Sequence, residues 1–134
     1  MKKLMILFAG LLILGVSSCR KVTEQYYTVP NKTIFYSVNA SSWTTTDGGF
    51  TYSASLSFLQ GDSYLNTYDG LLVYVSYDNG NNFISVPQTY NGLAYSYSAS
   101  NSKVVLEVQS SDFNQVIQNP GALSVKIIMI PSEE

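Results

Sequence analysis

From residue 33 onward the chain returns to one pattern: apolar and aromatic side chains alternate with Ser, Thr or charged ones in short runs, separated by Gly, Asn, Asp and Pro. Successive side chains of a strand point to opposite faces, whereas a helix repeats every 3.6 residues, so period two specifies half-buried strands and excludes amphipathic helices. The run 50–58 shows this best, with Phe50, Tyr52, Ala54, Leu56 and Phe58 on one face and Thr51, Ser53, Ser55 and Ser57 on the other. In 33–40, Ile34, Tyr36, Val38 and Ala40 share a face opposite Thr33, Phe35, Ser37 and Asn39.

The remaining strands follow the same logic. Residues 70–77 are apolar on both sides through Leu71-Leu72-Val73-Tyr74-Val75, the pattern of a central strand. Asp78-Asn79-Gly80-Asn81-Asn82 supplies residues that tolerate positive φ in a tight hairpin, and 83–86 is the return strand, ended by Pro87. Strands at 93–99 and 103–109 flank an Asn101-Ser102 turn, 112–119 is a short turn or helix, and 123–130 closes the chain before Pro131. The stretch 60–69 is either a loop or a single helical turn. About seven strands without helices long enough for parallel crossovers predict an all-β domain over 33–131, an antiparallel β-sandwich, with a partly open β-barrel as the alternative.

The first residues obey different rules. Lys2 and Lys3 precede an apolar run, 4–16, which ends at Ser17-Ser18. That order is an export signal, and the run falls well short of the roughly 20 apolar residues that a permanent span needs. Val16-Ser17-Ser18-Cys19 resembles a bacterial lipobox, and Cys19 is the only cysteine of the chain. The resemblance implies a signal peptide at 1–18, cleavage before Cys19, and acylation of its thiol and amine. Each buried acyl methylene contributes about 0.8 kcal/mol, so two or more chains hold a protein stably on a bilayer. Residues 19–32 then read as the lipidated cysteine and a polar tether. Without a second cysteine, the domain has no internal disulfide and depends on packing.

Three stretches, Gly70-Leu71-Leu72-Val73-Tyr74-Val75-Ser76-Tyr77, Phe83-Ile84-Ser85-Val86-Pro87-Gln88-Thr89-Tyr90 and Val125-Lys126-Ile127-Ile128-Met129-Ile130-Pro131, are similar to a set of small Bacteroidota envelope lipoproteins. That likeness covers about 30–131 together with the lipobox. Where this chain has Phe83 such proteins often carry Trp, and the collagen-like Gly-Pro repeats that some place after the cysteine are missing here. The resemblance implies compartment and fold, and no activity comes with it. Arg20 and Lys21 differ from the acidic surface-export signal of some lipoproteins of that phylum, which points to the outer membrane, lipid-anchored and facing the periplasm, with the cell surface as the alternative.

Composition narrows the chemistry. With no histidine, His-assisted nucleophiles and His-containing zinc sites are excluded. Removing Lys2 and Lys3 leaves five basic residues against nine acidic ones, a net charge of −4, and the five are scattered, so nucleic acid is not an expected partner. Carboxylate pairs drawn from Asp62, Asp69, Glu107 and Asp112 are the remaining route to catalysis, but Asp62 and Asp69 flank a turn and Glu107 sits on a wet face, so no catalytic residue is assigned. Asp78, Asn79, Asn81 and Asn82 offer oxygens for calcium, but the EF-hand spacing is absent and a plain hairpin explains them, so neither metal nor cofactor is expected.

Eleven tyrosines and the single Trp43 are the compositional excess. Aromatic faces with a polar edge suit sugars and protein partners alike, although Tyr is also a favoured strand residue. Trp43, Tyr64, Tyr68, Tyr90, Tyr95 and Tyr97 lie in or near turns, and Trp43, Tyr95 and Tyr97 are the candidates for a ligand-contacting surface cluster. The reading is a membrane-anchored, non-catalytic binding or structural module that contacts envelope proteins or glycans, the alternative being a glycan-binding domain that uses exposed aromatics. The lipid claim rests on Cys19 alone. In cells fed a labelled fatty acid, Cys19→Ala should abolish incorporation of label into the protein, and label retained by the variant would overturn it.

Overall fold

The computed structural model describes residues 28–58, 69–100 and 102–132. The signal peptide, Cys19, most of the tether, Asp62, Tyr64, Tyr68 and Asn101 lie outside the described residues. Among the described residues eight strands form: β1 (Lys32–Val38), β2 (Thr51–Ser57), β3 (Gly70–Ser76), β4 (Ile84–Val86), β5 (Gln88–Tyr90), β6 (Leu93–Ala99), β7 (Lys103–Ser110) and β8 (Leu123–Ile130). They make two four-stranded antiparallel sheets, ordered β1-β8-β3-β4 and β2-β7-β6-β5. The chain is an all-β sandwich.

Register explains why the faces separate so cleanly. Ile34, Tyr36 and Val38 pair with Ile127, Val125 and Leu123, and on the other flank Leu71, Val73 and Val75 pair with Met129, Ile127 and Val125. Directly paired residues point the same way, so three strands contribute one inward row. The second sheet answers with Ala54 and Leu56 of β2, Val104, Leu106 and Val108 of β7, and Tyr95 of β6, all buried.

Tyrosines join the sheets. The Tyr36 hydroxyl donates to the Ser57 carbonyl at 3.1 Å, that of Tyr97 donates to the Leu71 carbonyl at 3.2 Å, and the Gln88 amide donates to the Tyr77 hydroxyl at 3.0 Å. The first two bonds run from one sheet to the other and the third ties β5 to the residue that follows β3, so part of the tyrosine excess serves assembly. Buried phenols usually find such partners, and no buried side-chain polar atom among the described residues lacks one.

Two sequence expectations change, and one open alternative closes. The 83–86 strand does not end the local β-structure: beyond Pro87 the chain crosses to the other sheet as β5, and Asn91 and Gly92, both at positive φ, turn it into β6. Asn-Gly between alternating residues is the strongest short hairpin signal, and the three-residue length of β5 hid it. The segment at 112–119 is a turn and not a helix. Finally, β3 is central within its sheet, yet outward Leu72 is left uncovered, 43% exposed, beside a half-buried Tyr74.

Both ends of the sandwich are defined by chain direction. β1 starts where β3 starts and β8 finishes, because Lys32 pairs with Met129 and Gly70 with Ile130. At the opposite end lie the 77–83 hairpin, the Asn91-Gly92 turn and the 111–122 connection into β8. A seven-residue strand spans roughly 23 Å, so the chain enters the domain about that far from these loops.

The core makes a direct prediction. Leu106 is fully buried while Leu72 is not. Leu106→Ala should lower unfolding free energy by about 2–5 kcal/mol in urea titration, and Leu72→Ala by less than about 1 kcal/mol.

Candidate functional site

Of the aromatic candidates, the structure brings Tyr95 and Tyr97 together on the inward face of β6, and it removes them from solvent. Tyr95 is 4% exposed and Tyr97 half-buried. Trp43 is 6% exposed and sits elsewhere, following a single 3-10 turn (Ala40–Ser42), where its indole N–H donates to the Gly121 carbonyl at 2.7 Å. The expected surface cluster of Trp43, Tyr95 and Tyr97 is therefore corrected: these three are packing and bridging residues. Among the described residues of the set Tyr90 is the exposed one, and it stacks on Tyr77 with ring centroids 4.3 Å apart and planes at 9°. Tyr77 also meets Tyr95 edge-on at 5.4 Å. Burial pushes the Tyr77 and Tyr95 hydroxyls up from their ordinary range. Neither phenol is poised to ionise near neutral pH.

The carboxylates are dispersed. Asp69 precedes β3 at the chain-entry end and accepts the Ser132 N–H, while Asp112 lies in the loops at the other end. Glu107 faces outward from the middle of β7, opposite Ser53 and Ser96. A glycosidase pair needs about 5–10 Å, less than half the strand length that separates Asp69 from Asp112.

Asp78 does structural work in its hairpin. One carboxylate oxygen accepts from the Ser76 hydroxyl at 2.7 Å and the Asn82 N–H at 2.9 Å, and the other accepts the Asn82 amide at 2.6 Å. Buried Ser76 in turn accepts the Gly80 N–H at 2.9 Å. A calcium ion would have to displace these donors. The same design recurs after β7: Ser110 donates to Asp112 at 2.7 Å, Asp112 accepts from the Asn114 N–H at 3.2 Å and the Gln115 amide at 2.9 Å, and Ser110 accepts the Gln115 N–H at 3.2 Å. Ser76 and Ser110 are the buried polar residues of the described chain. In both turns the residue after the aspartate has positive φ, Asn79 at 58° and Phe113 at 59°.

Two outer surfaces remain, and they differ in chemistry. On the first sheet, outward Phe35 of β1 pairs with Lys126 of β8, and Lys126 pairs with Tyr74 of β3. The Lys126 ammonium lies 4.6 Å from the ring centres of both Tyr74 and Phe83, and Phe83 meets Phe35 at 5.9 Å. Phe35 is 64% exposed; Leu72 and Ile128 extend the apolar surface along the strands. No Asp or Glu occupies an outward position on these four strands. The second sheet presents Thr51, Ser53, Ser55, Glu107, Gln109, Ser96 and Thr89 instead. Near its loop end lies a groove of about 360 Å³ bounded by Pro87, Thr89, Ala94, Ser96, Gln109 and Phe113, and Gln88 and the otherwise buried Tyr95 also contribute to its wall.

Phe35, Phe83, Lys126 and Phe113 were missed as site residues. A lysine at the middle of the apolar run 125–130 was the available signal for the first three, whereas no sequence rule places a phenylalanine at positive φ. Comparisons with protein-family models, curated proteins and solved structures match nothing.

Three turn carboxylates set an acid limit. The Asn82 N–H first, then the Ser76 hydroxyl, lowers Asp78 to about 2, and the Thr51 N–H does the same for Asp47. The Ser110 hydroxyl lowers Asp112. A carboxylate whose folded pKa is depressed contributes stability above its unfolded value, and that contribution is lost as pH falls through the folded one. Melting temperature should hold level above about pH 5 and fall between about pH 4 and 2. Asp78→Ala should lower it at pH 7 and make the acid decline shallower, as read by circular dichroism.

Proposed function

We propose that the chain is a membrane-anchored envelope lipoprotein, carried to the outer membrane by its signal peptide and Cys19, that works as a non-catalytic module docking another envelope protein. The observation that carries this reading is the outer face of the first sheet. A sandwich needs one buried face per sheet, and the second sheet is finished with hydroxyls as such a face should be. The first sheet instead leaves Phe35, Leu72, Tyr74, Ile128 and Phe83 outward around one ammonium. Solvated sheet faces have no physical need for that composition, and contiguous exposed apolar patches mark interaction sites.

Lys126 defines the partner's chemistry. Its charge lies among aromatic rings with no carboxylate on the face, so a partner that covers it has to bring apolar surface and an acceptor, an acidic side chain or a carbonyl, for the ammonium. The same charge disfavours pairing of two identical faces about a two-fold axis, where each Lys126 would approach its copy. The absence of histidine and the separation of Asp69 from Asp112 support a non-catalytic role. The lipid keeps the module on the bilayer and lets weak contacts act at high local concentration. The Arg20-Lys21 pair supports a periplasm-facing orientation.

Photo-crosslinkers placed at outward Ser37 on β1 and at outward Ser55 on β2 of the full chain in living cells test this. A discrete protein adduct from position 37 that Phe35→Glu abolishes, with none from position 55, is the expected result. Adducts of equal yield from both faces, or none from position 37, would overturn the docking assignment. Removal of the domain by protease added to intact cells would place it on the cell surface instead.

A further inference from the structure

We propose that the groove beside Phe113, on the outer face of the second sheet, is a binding site for a neutral saccharide, with a pyranose ring lying on the Phe113 ring. The inference rests on the reading of the chain as a non-catalytic binding module and assigns it a ligand on the face opposite Lys126.

The groove begins with strand register. Thr89 pairs with Ala94 and Ala94 with Gln109, so three outward residues form one row across β5, β6 and β7. Ala94 is the smallest of them and sets the floor. Ser96, two residues along β6, shares this face, and Pro87 and Phe113 stand at the margins. Its volume of about 360 Å³ is at the small end of ligand pockets, room for one or two sugar rings and too little for an extended polymer to be enclosed.

Phe113 is the informative residue. It is 66% exposed and held at φ 59°, a conformation that bulky side chains rarely adopt. The matching turn after β3 has Asn79 followed by Gly80 at this point, residues suited to positive φ. The Ser110, Asp112 and Gln115 hydrogen bonds fix the turn, so the ring is presented at the groove by a rigid backbone and gains little burial in return. An aromatic kept exposed in a strained position is explained by what it contacts, because strain of this kind concentrates at binding sites.

The lining decides the ligand. No Lys, Arg, Asp or Glu bounds the groove, and its polar groups are amides and hydroxyls. An anion such as a phosphate or sialylated sugar would find no cation there. Gln109 donates its amide N–H to Thr51 Oγ at 2.9 Å, which orients the amide oxygen as an acceptor for a ligand hydroxyl. The apolar C–H face of a pyranose is electropositive and matches the negative face of an aromatic ring, while its hydroxyls match Gln109, Thr89 and Ser96. An apolar peptide would use Phe113 and Pro87 but leave the hydroxyl row unpaired. The groove lies toward the loop end, away from the entry of the tether at β1, where an anchored domain is open to envelope polymers.

The test uses the full mature chain in detergent micelles on an array of neutral and anionic oligosaccharides built from glucose, galactose, mannose and N-acetylglucosamine, followed by calorimetric titration of each hit. Binding of a neutral oligosaccharide is expected, weakened at least tenfold by Phe113→Gly and by Ala94→Gln, which fills the floor, and retained by Phe113→Trp. Phe113→Gly removes the strained φ, so its melting temperature should equal or exceed that of the parent, which separates lost binding from lost folding. Absence of any neutral saccharide binding at 10 mM sugar, hits confined to anionic sugars, or affinity indifferent to Phe113→Gly would each overturn the proposal, as would groove-dependent binding confined to peptides. Because Phe35 and Ser37 lie on the other sheet, the crosslinking result stands or falls separately from this one.

Discussion

Everything else in this fold depends on the dry contact between two central strands, β8 of one sheet and β7 of the other. Leu123, Val125, Ile127 and Met129 on β8 and Val104, Leu106 and Val108 on β7 are buried without exception. Each such side chain contributes about 1.5–3 kcal/mol relative to exposure, and the chain has no internal disulfide to add to that. Each strand also pairs on both sides, β8 with β1 and β3, β7 with β2 and β6. These two strands therefore set the register of their neighbours. A slip of one residue would turn Lys126 into the core and Ile127 to solvent, which fixes the pairing more firmly than backbone hydrogen bonds could.

The tyrosines follow from that contact. A core of Val, Leu and Ile fills the centre, and the periphery has to close against water while leaving no strand carbonyl stranded. Tyr36 and Tyr97 meet both requirements with one side chain, an apolar ring over the core margin and a hydroxyl on the opposite sheet's backbone. Tyr77 and Tyr90 cap the loop end by stacking. Among the described residues, five tyrosines of the excess that reads in sequence as a binding signal serve to close a small sandwich that has no disulfide.

That explains what sequence alone made legible. Strands with one wet face, such as β2 and β7, show their alternation directly, and seven of the eight were readable with ends shifted by one or two residues. β5 was not, because three residues carry too little periodicity and Pro87 looks like a stop when it is a crossing between sheets. Trp43 and Tyr95 were misread as surface residues because proximity to a turn does not determine burial. Tyr95 alternates with outward Ala94 and Ser96, a clue to its inward direction, while the burial of Trp43 depends on Gly121, 78 residues away. Exposure of Leu72 was also beyond local reasoning, since an apolar residue on a central strand looks the same whether or not anything covers it.

The outer faces carry opposite instructions from one sequence grammar. In β2 and β6 the outward positions are Ser, Thr and Ala, which solvate without competing for the core. In β1, β3 and β8 they include Phe35, Leu72, Tyr74 and Ile128, so the burden of marking this face as the outer one falls on Lys126 together with Thr33, Ser37 and Ser124. The lysine thus acts twice. Its charge makes inversion costly and so assigns the apolar row of Val125 and Ile127 to the core, and its aliphatic stem and ammonium cover part of the aromatic surface that this choice leaves outside. The apolar surface of this sheet stays outside because the residue at its centre, Lys126, is also the one whose charge resists burial.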